Sequence, residues 1–280
     1  MENTDKMFKA KKIGVFDSGI GGFSVLAELF NVLPEAEYYY ISDDANSPYG
    51  PKSDEFITER TIAMTEELLR QGVELIVIAC NTATASSIDQ LREKFKAIPF
   101  VGVEPYLNAF YKMPEGLSEH EKKMMVLTTE STGKSERFKR LKERLDPKSQ
   151  IDHYSLKNLA RLIEEYYHHP ANSAELEAEF YKNVESELQF LKSQNYFYAI
   201  LGCTHYPLIK DKIESFLNLK TISPSLHVAL RVKDLAHSTG SNPKHSEDIF
   251  NYLSSSNNLW TKRKRESLFG PFKGNKHVKN

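Results

Sequence analysis

The feature that most constrains this chain is a repeated alternation of short β-type apolar runs with longer stretches of helical period. Ile13-Gly14-Val15-Phe16 reads as a first strand, and Phe23 to Val32 as a helix stopped at Pro34. Tyr38-Tyr39-Tyr40-Ile41 is a second strand, followed by a turn-rich loop from Asp43 to Lys52. Ser53 can cap a helix that ends near Gly72. Leu75-Ile76-Val77-Ile78 is an unbroken apolar run, the pattern of a strand buried on both faces. Thr82 to Phe95 reads as a helix and Phe100-Val101-Gly102-Val103 as a strand. The rhythm then resumes. Strands are expected at Met124 to Leu127, Ile151 to Tyr154 and Tyr198 to Leu201. Helices are expected at Ser135 to Leu145, Leu156 to Tyr167, Ser173 to Gln194 and Leu208 to Phe216. Repeated βα units imply mainly parallel sheets with helices on both faces, and ligands beyond the carboxyl ends of the strands.

A length of 280 residues favours two domains. A weak internal repeat agrees: Ile76-Val77-Ile78-Ala79-Cys80-Asn81-Thr82 resembles Ala199-Ile200-Leu201-Gly202-Cys203-Thr204-His205. Each is an apolar strand, a small residue, a cysteine and then polar residues before a helix. The expected fold is therefore α/β, with two similar domains, each a mainly parallel sheet flanked by helices. A pseudo-twofold would relate them and set the active site between them. The expected division is residues 1–104 plus 220–253 for the first domain, 105–219 for the second, and 254–280 for a basic C-terminal tail. Lys262-Arg263-Lys264-Arg265, with Gly270, Pro271 and Gly274 beyond it, reads as a solvated tail. A contact to nucleic acid or an acidic partner is the sharper reading of that run, but no binding fold accompanies it.

Lys plus Arg (37) nearly balances Asp plus Glu (38), which gives no general pull towards nucleic acid or an acidic membrane surface. No apolar run is long enough to span a bilayer, and Met1 to Lys12 has no apolar signal core. The two cysteines form neither a disulfide framework nor a four-ligand zinc set, and no metal is expected. A reducing cytoplasm with both thiols free is the expected compartment.

Chemistry is expected at those two cysteines. Free cysteine is a commonly buried residue type, so one alone would say little. Two in matching strand-end contexts say more, because a helix N-terminus favours thiolate. An ordinary thiol pKa of about 8.5 is already near working pH. Asp17 closes the first strand, and His205 lies two residues after Cys203. Either can accept, donate or tune a proton. Gly19-Ile20-Gly21-Gly22 lacks the full dinucleotide-loop spacing and reads instead as a tight turn that lets backbone N–H groups approach a carboxylate.

Four blocks together resemble the signature blocks of bacterial glutamate racemase, of the aspartate/glutamate racemase family. They are Val15-Phe16-Asp17-Ser18-Gly19-Ile20-Gly21-Gly22, Pro48-Tyr49-Gly50, Ala79-Cys80-Asn81-Thr82-Ala83 and Leu201-Gly202-Cys203-Thr204-His205-Tyr206-Pro207-Leu208. The resemblance implies a cofactor-independent isomerase that interconverts L- and D-glutamate, whose D-isomer feeds peptidoglycan. It implies that Cys80 and Cys203 flank the substrate Cα, with Cys80 acting on D-glutamate and Cys203 on L-glutamate. Asp17 and His205 match auxiliary residues beside the thiols, and Glu164 aligns with a further auxiliary carboxylate. Asp17, Ser18, Tyr49, Gly50, Asn81, Thr82, Thr204 and His205 match substrate-holding positions, joined by Thr129 and Thr132. A homodimer is also implied. Asn46 stands where many relatives carry arginine, and Ser223 where an aspartate commonly follows the late strand. Two other readings are an aspartate or broad acidic amino-acid racemase, and a non-catalytic regulatory relative that binds partners through the basic tail. The presence of both cysteines speaks against the latter. A thiol–disulfide switch is a third class, without a CxxC arrangement to support it.

Overall fold

The computed structural model describes residues 12–118, 120–170, 173–236 and 249–269. The first βα series is β1 (Lys12–Asp17), α1 (Phe23–Val32), β2 (Glu37–Ser42), α2 (Asp54–Arg70), β3 (Leu75–Ile78), α3 (Asn81–Lys94) and β4 (Phe100–Gly102). The second begins with β5 (Met124–Thr129), α4 (Glu130–Lys134), α5 (Glu136–Leu145), β6 (Ile151–Leu156) and α6 (Leu159–His168). It continues with α7 (Ala174–Leu188), β7 (Tyr198–Gly202), α8 (Lys210–Leu217) and β8 (Lys220–Ile222). The chain then returns to the first half with α9 (Ser225–Ala236), β9 (Ile249–Ser254) and β10 (Leu259–Lys264).

The strands form a six-stranded sheet, β10-β9-β2-β1-β3-β4, and a four-stranded sheet, β6-β5-β7-β8. Every pairing among the described residues is parallel except β10 with β9. The order β2-β1-β3-β4 recurs as β6-β5-β7-β8. Cys80 follows the third strand of the first set and Cys203 the third strand of the second, so the short sequence repeat marks a repeated topology. In each set the chain leaves its first strand to one side and later returns on the other. In open α/β sheets, such a switch of direction is where ligands bind, beyond the strand ends.

Alternate side chains of the strands enter different cores. Ile13, Val15, Tyr38, Tyr40, Leu75 and Val77 pack beneath α1 and α9, in a cluster that runs on into Leu127, Leu156, Ile163 and Leu201 of the second half. Phe16, Ile41, Ile76 and Ile78 face the other way, towards Ile57 and Leu68 of α2 and Ala83 and Leu91 of α3. Met124, Val126 and Ile200 face Phe138 and Leu141 of α5. Among the described residues no helix is long and apolar enough to cross a membrane.

Two boundaries differ from expectation. Residues 220–222 form β8 and pair with β7, so they belong to the second sheet and not to the first domain. Residues 259–264 are not a solvated tail: they form β10, the antiparallel edge of the first sheet. The basic run is held by aromatic faces. The Arg263 guanidinium lies 3.6 Å from the Tyr252 ring centroid and that of Arg265 lies 4.2 Å from Phe30. Trp260 packs edge-on against Tyr39 and donates its indole N–H to Glu67 at 2.6 Å. Gly270, Pro271, Gly274 and the following residues lie outside the described residues.

Candidate active site

Asp17 ends β1 fully buried. Its Oδ1 accepts the Ser18 hydroxyl and the Gly19 N–H, each at 3.0 Å, and its Oδ2 accepts the Thr204 hydroxyl at 3.0 Å. Burial raises the Asp17 carboxyl to about 6, although the His205 charge and these donors pull the other way. The next residues show why this turn is glycine. A Cβ on Gly19 would collide with the Glu164 carboxylate, and one on Gly21 with the His205 ring and the Thr204 hydroxyl. Ile20 N–H donates to Glu164 Oε2 at 3.1 Å, and the Ser24 hydroxyl donates to the Thr204 carbonyl at 2.9 Å. The start of the first half is thus pressed directly against the second.

Cys80 caps α3: its Sγ accepts the Ala83 N–H at 3.4 Å and lies 3.8 Å from Ser18 Oγ. Burial pushes the Cys80 thiol well up, reinforced by the Asp17 charge. The helix N–H opposes this, and negative charge on Cys203 would add to it, so the two sulfurs share one electrostatic environment. Asp17 reaches Cys80 through its charge and through Ser18, while its direct hydrogen bond across the halves goes to Thr204.

Cys203 Sγ lies 3.7 Å from His205 Nδ1, and His205 Nε2 lies 2.6 Å from Glu164 Oε2. Burial opposes charge on His205, but Cys203 and Glu164 outweigh it and raise the imidazole well above its ordinary range. Burial likewise acts to raise Glu164. Hydrogen bonds from His168 and His205, the His205 charge and the Ile20 N–H prevail and hold Glu164 down to about 2. Both thiols are free and buried.

The predicted hydroxyls gather around Thr82. Its Oγ1 lies 3.2 Å from Thr129 Oγ1 and 3.3 Å from Thr132 Oγ1, and the Thr129 hydroxyl donates to Thr132 at 3.0 Å. The structure therefore brings together Asp17, Ser18 and Thr204 in one hydrogen-bonded cluster and Thr82, Thr129 and Thr132 in another. Asn81, the first residue of α3, is buried, and its Oδ1 has no hydrogen-bond partner. Tyr49 is buried, and its hydroxyl is committed to Asp43 Oδ2 at 2.5 Å. No side chain crowds Gly50.

Sequence reasoning missed the carboxylate that organises this loop. Asp43 receives both Arg60 Nε at 2.9 Å and Arg60 Nη2 at 2.7 Å, together with Tyr49 and Asn46. Burial opposes the Asp43 charge, yet these donors lower its pKa. Asn46 thus serves as a donor to Asp43 at 3.0 Å. Ser223 takes the Ser225 N–H at 3.2 Å at the start of α9, so its hydroxyl does the capping work open to an aspartate. His168, on Glu164 Oε1 at 3.1 Å, was also missed; its i+4 spacing from Glu164 was the available signal. Among the described residues no group of three or more His, Cys, Asp and Glu side chains is placed to hold a metal ion.

Residues 23–230 match the model of the Asp/Glu/Hydantoin racemase family. The chain is 36% identical over 207 residues to a glutamate racemase of Clostridium botulinum, covering 73% of this chain and 75% of that one. It is 32% identical over 252 residues to the glutamate racemase of Clostridium perfringens, covering 88% and 92%. The crystal structure of Escherichia coli glutamate racemase with L-glutamate and the activator UDP-MurNAc-Ala superposes with a TM-score of 0.72 at 28% identity, over 87% of this chain and 88% of that one. The Francisella tularensis glutamate racemase with D-glutamate gives a TM-score of 0.68 at 28% identity, over 95% and 94%.

Proposed function

The chain belongs to the Asp/Glu/hydantoin racemase family and is an amino-acid racemase, an isomerase, and on that premise we propose that it interconverts L- and D-glutamate by passing the α-proton between Cys80 and Cys203. One observation carries this reading. Two buried thiols follow equivalent strands of two sheets, and hydrogen bonds of Asp17 with Thr204 and of Ile20 with Glu164 tie the turn after β1 to the second half.

With L-glutamate, the Cys203 thiolate takes the α-proton and the C–H electron pair stays on the substrate, delocalised towards the α-carboxylate. The Cys80 thiol then gives its proton to the opposite face, leaving Cys80 as thiolate and the product as D-glutamate. D-glutamate runs the same steps in reverse. Burial and Asp17 keep Cys80 a thiol in the first direction and make its thiolate a strong base in the second. Without a cofactor as electron sink, hydrogen bonds to the α-carboxylate must stabilise the carbanion. The Asn81 amide and the Thr82 and Thr132 hydroxyls supply donors, joined by Ser18, Thr204 and Thr129 once their hydroxyls turn from Asp17 and Thr132 to the substrate, and a hydrogen bond to a charged group contributes about 1.5–3 kcal/mol. The unpaired Asn81 Oδ1 suits the substrate ammonium. Glu164 holds His205 beside Cys203. The use of D-glutamate for peptidoglycan, in the cytoplasm, rests on the resemblance to bacterial glutamate racemases alone.

The test is incubation with L-glutamate in heavy water without added cofactor, with L-aspartate run beside it. D-glutamate carrying deuterium at Cα is the expected product. Cys80→Ser and Cys203→Ser should each cut turnover by about 100-fold or more. Full turnover by either variant removes the two-thiol mechanism, and faster exchange on aspartate reassigns the substrate.

A further inference from the structure

We propose that His168 is a positioning residue which, through Glu164, sets how firmly His205 holds the proton it shares with Cys203, and so how much of the enzyme carries the Cys203 thiolate. The inference rests on the two-thiol reading above. Its basis is an unbroken chain of contacts from the surface to the buried thiol. His168 closes α6 with its side chain 41% exposed, one helical turn after Glu164. The Glu164 carboxylate gives one oxygen to each histidine: Oε1 to His168 at 3.1 Å and Oε2 to His205 at 2.6 Å. His205 continues to Cys203 Sγ at 3.7 Å.

A carboxylate held between two imidazoles divides its charge between them. When His168 is protonated, Glu164 is shared and holds the His205 proton less firmly, so that proton passes to Cys203 and leaves both cysteines as thiols, with no base for the α-proton. When His168 is neutral, Glu164 is left to His205 alone, and the Cys203 thiolate is favoured. Other groups act on His168 as well. Asp44, from the turn after β2, favours its charge, and Arg263 of β10 opposes it. The Tyr167 ring of its own helix packs edge-on at 5.2 Å. The hydrogen bond to Glu164 raises His168 above the ordinary imidazole value, against a smaller opposing effect of burial, so it titrates while Glu164 stays ionised. The basic edge strand, unexplained by the chemistry, thereby acquires a bearing on the site.

The enantiomers of glutamate are equal in energy, so kcat/KM must be the same for both at every pH. Loss of the Cys203 thiolate therefore lowers kcat/KM for both enantiomers alike. The measurement is kcat/KM for L- and for D-glutamate between about pH 6 and 9. In the wild type it should fall about threefold or more towards the acid end of that range, equally for both. His168→Gln keeps an N–H donor to Glu164 without charge, and His168→Arg keeps a donor with fixed charge. His168→Gln should lose the fall and stay at the wild-type alkaline value, and His168→Arg should stay at the acid value throughout. If one variant does not fold, as judged by thermal melting, the other still decides. A flat wild-type profile, a folded variant with wild-type pH dependence, or loss of all activity in both folded variants overturns the proposal. A wild type that exchanges no α-proton of glutamate counts instead against the functional reading.

Discussion

A carboxylate buried as deeply as Asp17 works against the fold whenever it is ionised. Its pKa rises from 3.8 to about 6 on folding. The folded state therefore binds a proton more readily than the unfolded chain, and stability falls as pH rises from about 4 to 6. Above pH 6 the full penalty applies, on the order of 3 kcal/mol at 1.36 kcal/mol per unit. Asp17→Asn removes the charge; its amide oxygen still accepts from Ser18 and Gly19, and its NH2 donates to a Thr204 hydroxyl that turns to accept. At pH 8 it should melt above the wild type, with the gap closing towards pH 4, while racemisation falls about tenfold or more. A variant less stable than the wild type at pH 8 would refute this account. Glu164 has the opposite sign, since its depressed pKa contributes stability above about 4.5 that is lost as pH falls towards 2. At this scale the sequence was informative about identity and silent about partners. Cys80, Cys203, Asp17, His205 and Glu164 stand in recognisable blocks. That Asp17 bonds Thr204, 187 residues away, or that His168 shares Glu164 with His205, depends on how two sheets meet.

The βα elements were legible because their signals are local. The apolar run of β3, the Pro34 stop after α1 and the Ser53 cap of α2 each act within a few residues. The late strands were not legible, because their reasons lie elsewhere in the fold. β8 is only three residues long and exists through its pairing with β7. β10 reads as a charge run, and its strand character comes from six residue pairs with β9 and from the Tyr252 and Phe30 faces beneath its arginines. The start of α3 was expected one residue late because Cys80 itself caps it, and cysteine is not among the usual capping residues. The element scale also yields a prediction about β10. A chain ending after Asn258 loses the Trp260, Arg263 and Arg265 contacts and leaves β9, with Phe250, Tyr252 and Leu253, as a bare edge. Denaturant unfolding should show a loss of about 2–4 kcal/mol, and light scattering should show self-association through that edge. Unchanged unfolding and a monodisperse truncated protein would show that β10 is only a covering.

A single apolar cluster runs from Ile13 and Phe23 in the first half to Leu201 and Ile213 in the second. Their polar fastenings lie at the edges of this core. The Thr82 hydroxyl meets Thr129 and Thr132, and Arg137 of α5 holds Glu104 at 2.6 Å and Asp89 of α3 at 3.2 Å. The Arg137 contacts are near the surface, where ion pairs contribute less than about 1 kcal/mol. Arg137→Met should therefore leave a single melting transition within about 3 °C of the wild type. It should raise KM for glutamate about two- to fivefold, because the halves spend less time together. A drop in kcat with KM unchanged would place Arg137 in the chemistry instead. The burial of both thiols has a further consequence. Cys80 and Cys203 are 5% and 6% exposed. A sulfur so covered meets iodoacetamide mainly when the halves part, so the rate of alkylation without substrate becomes a clock for their separation.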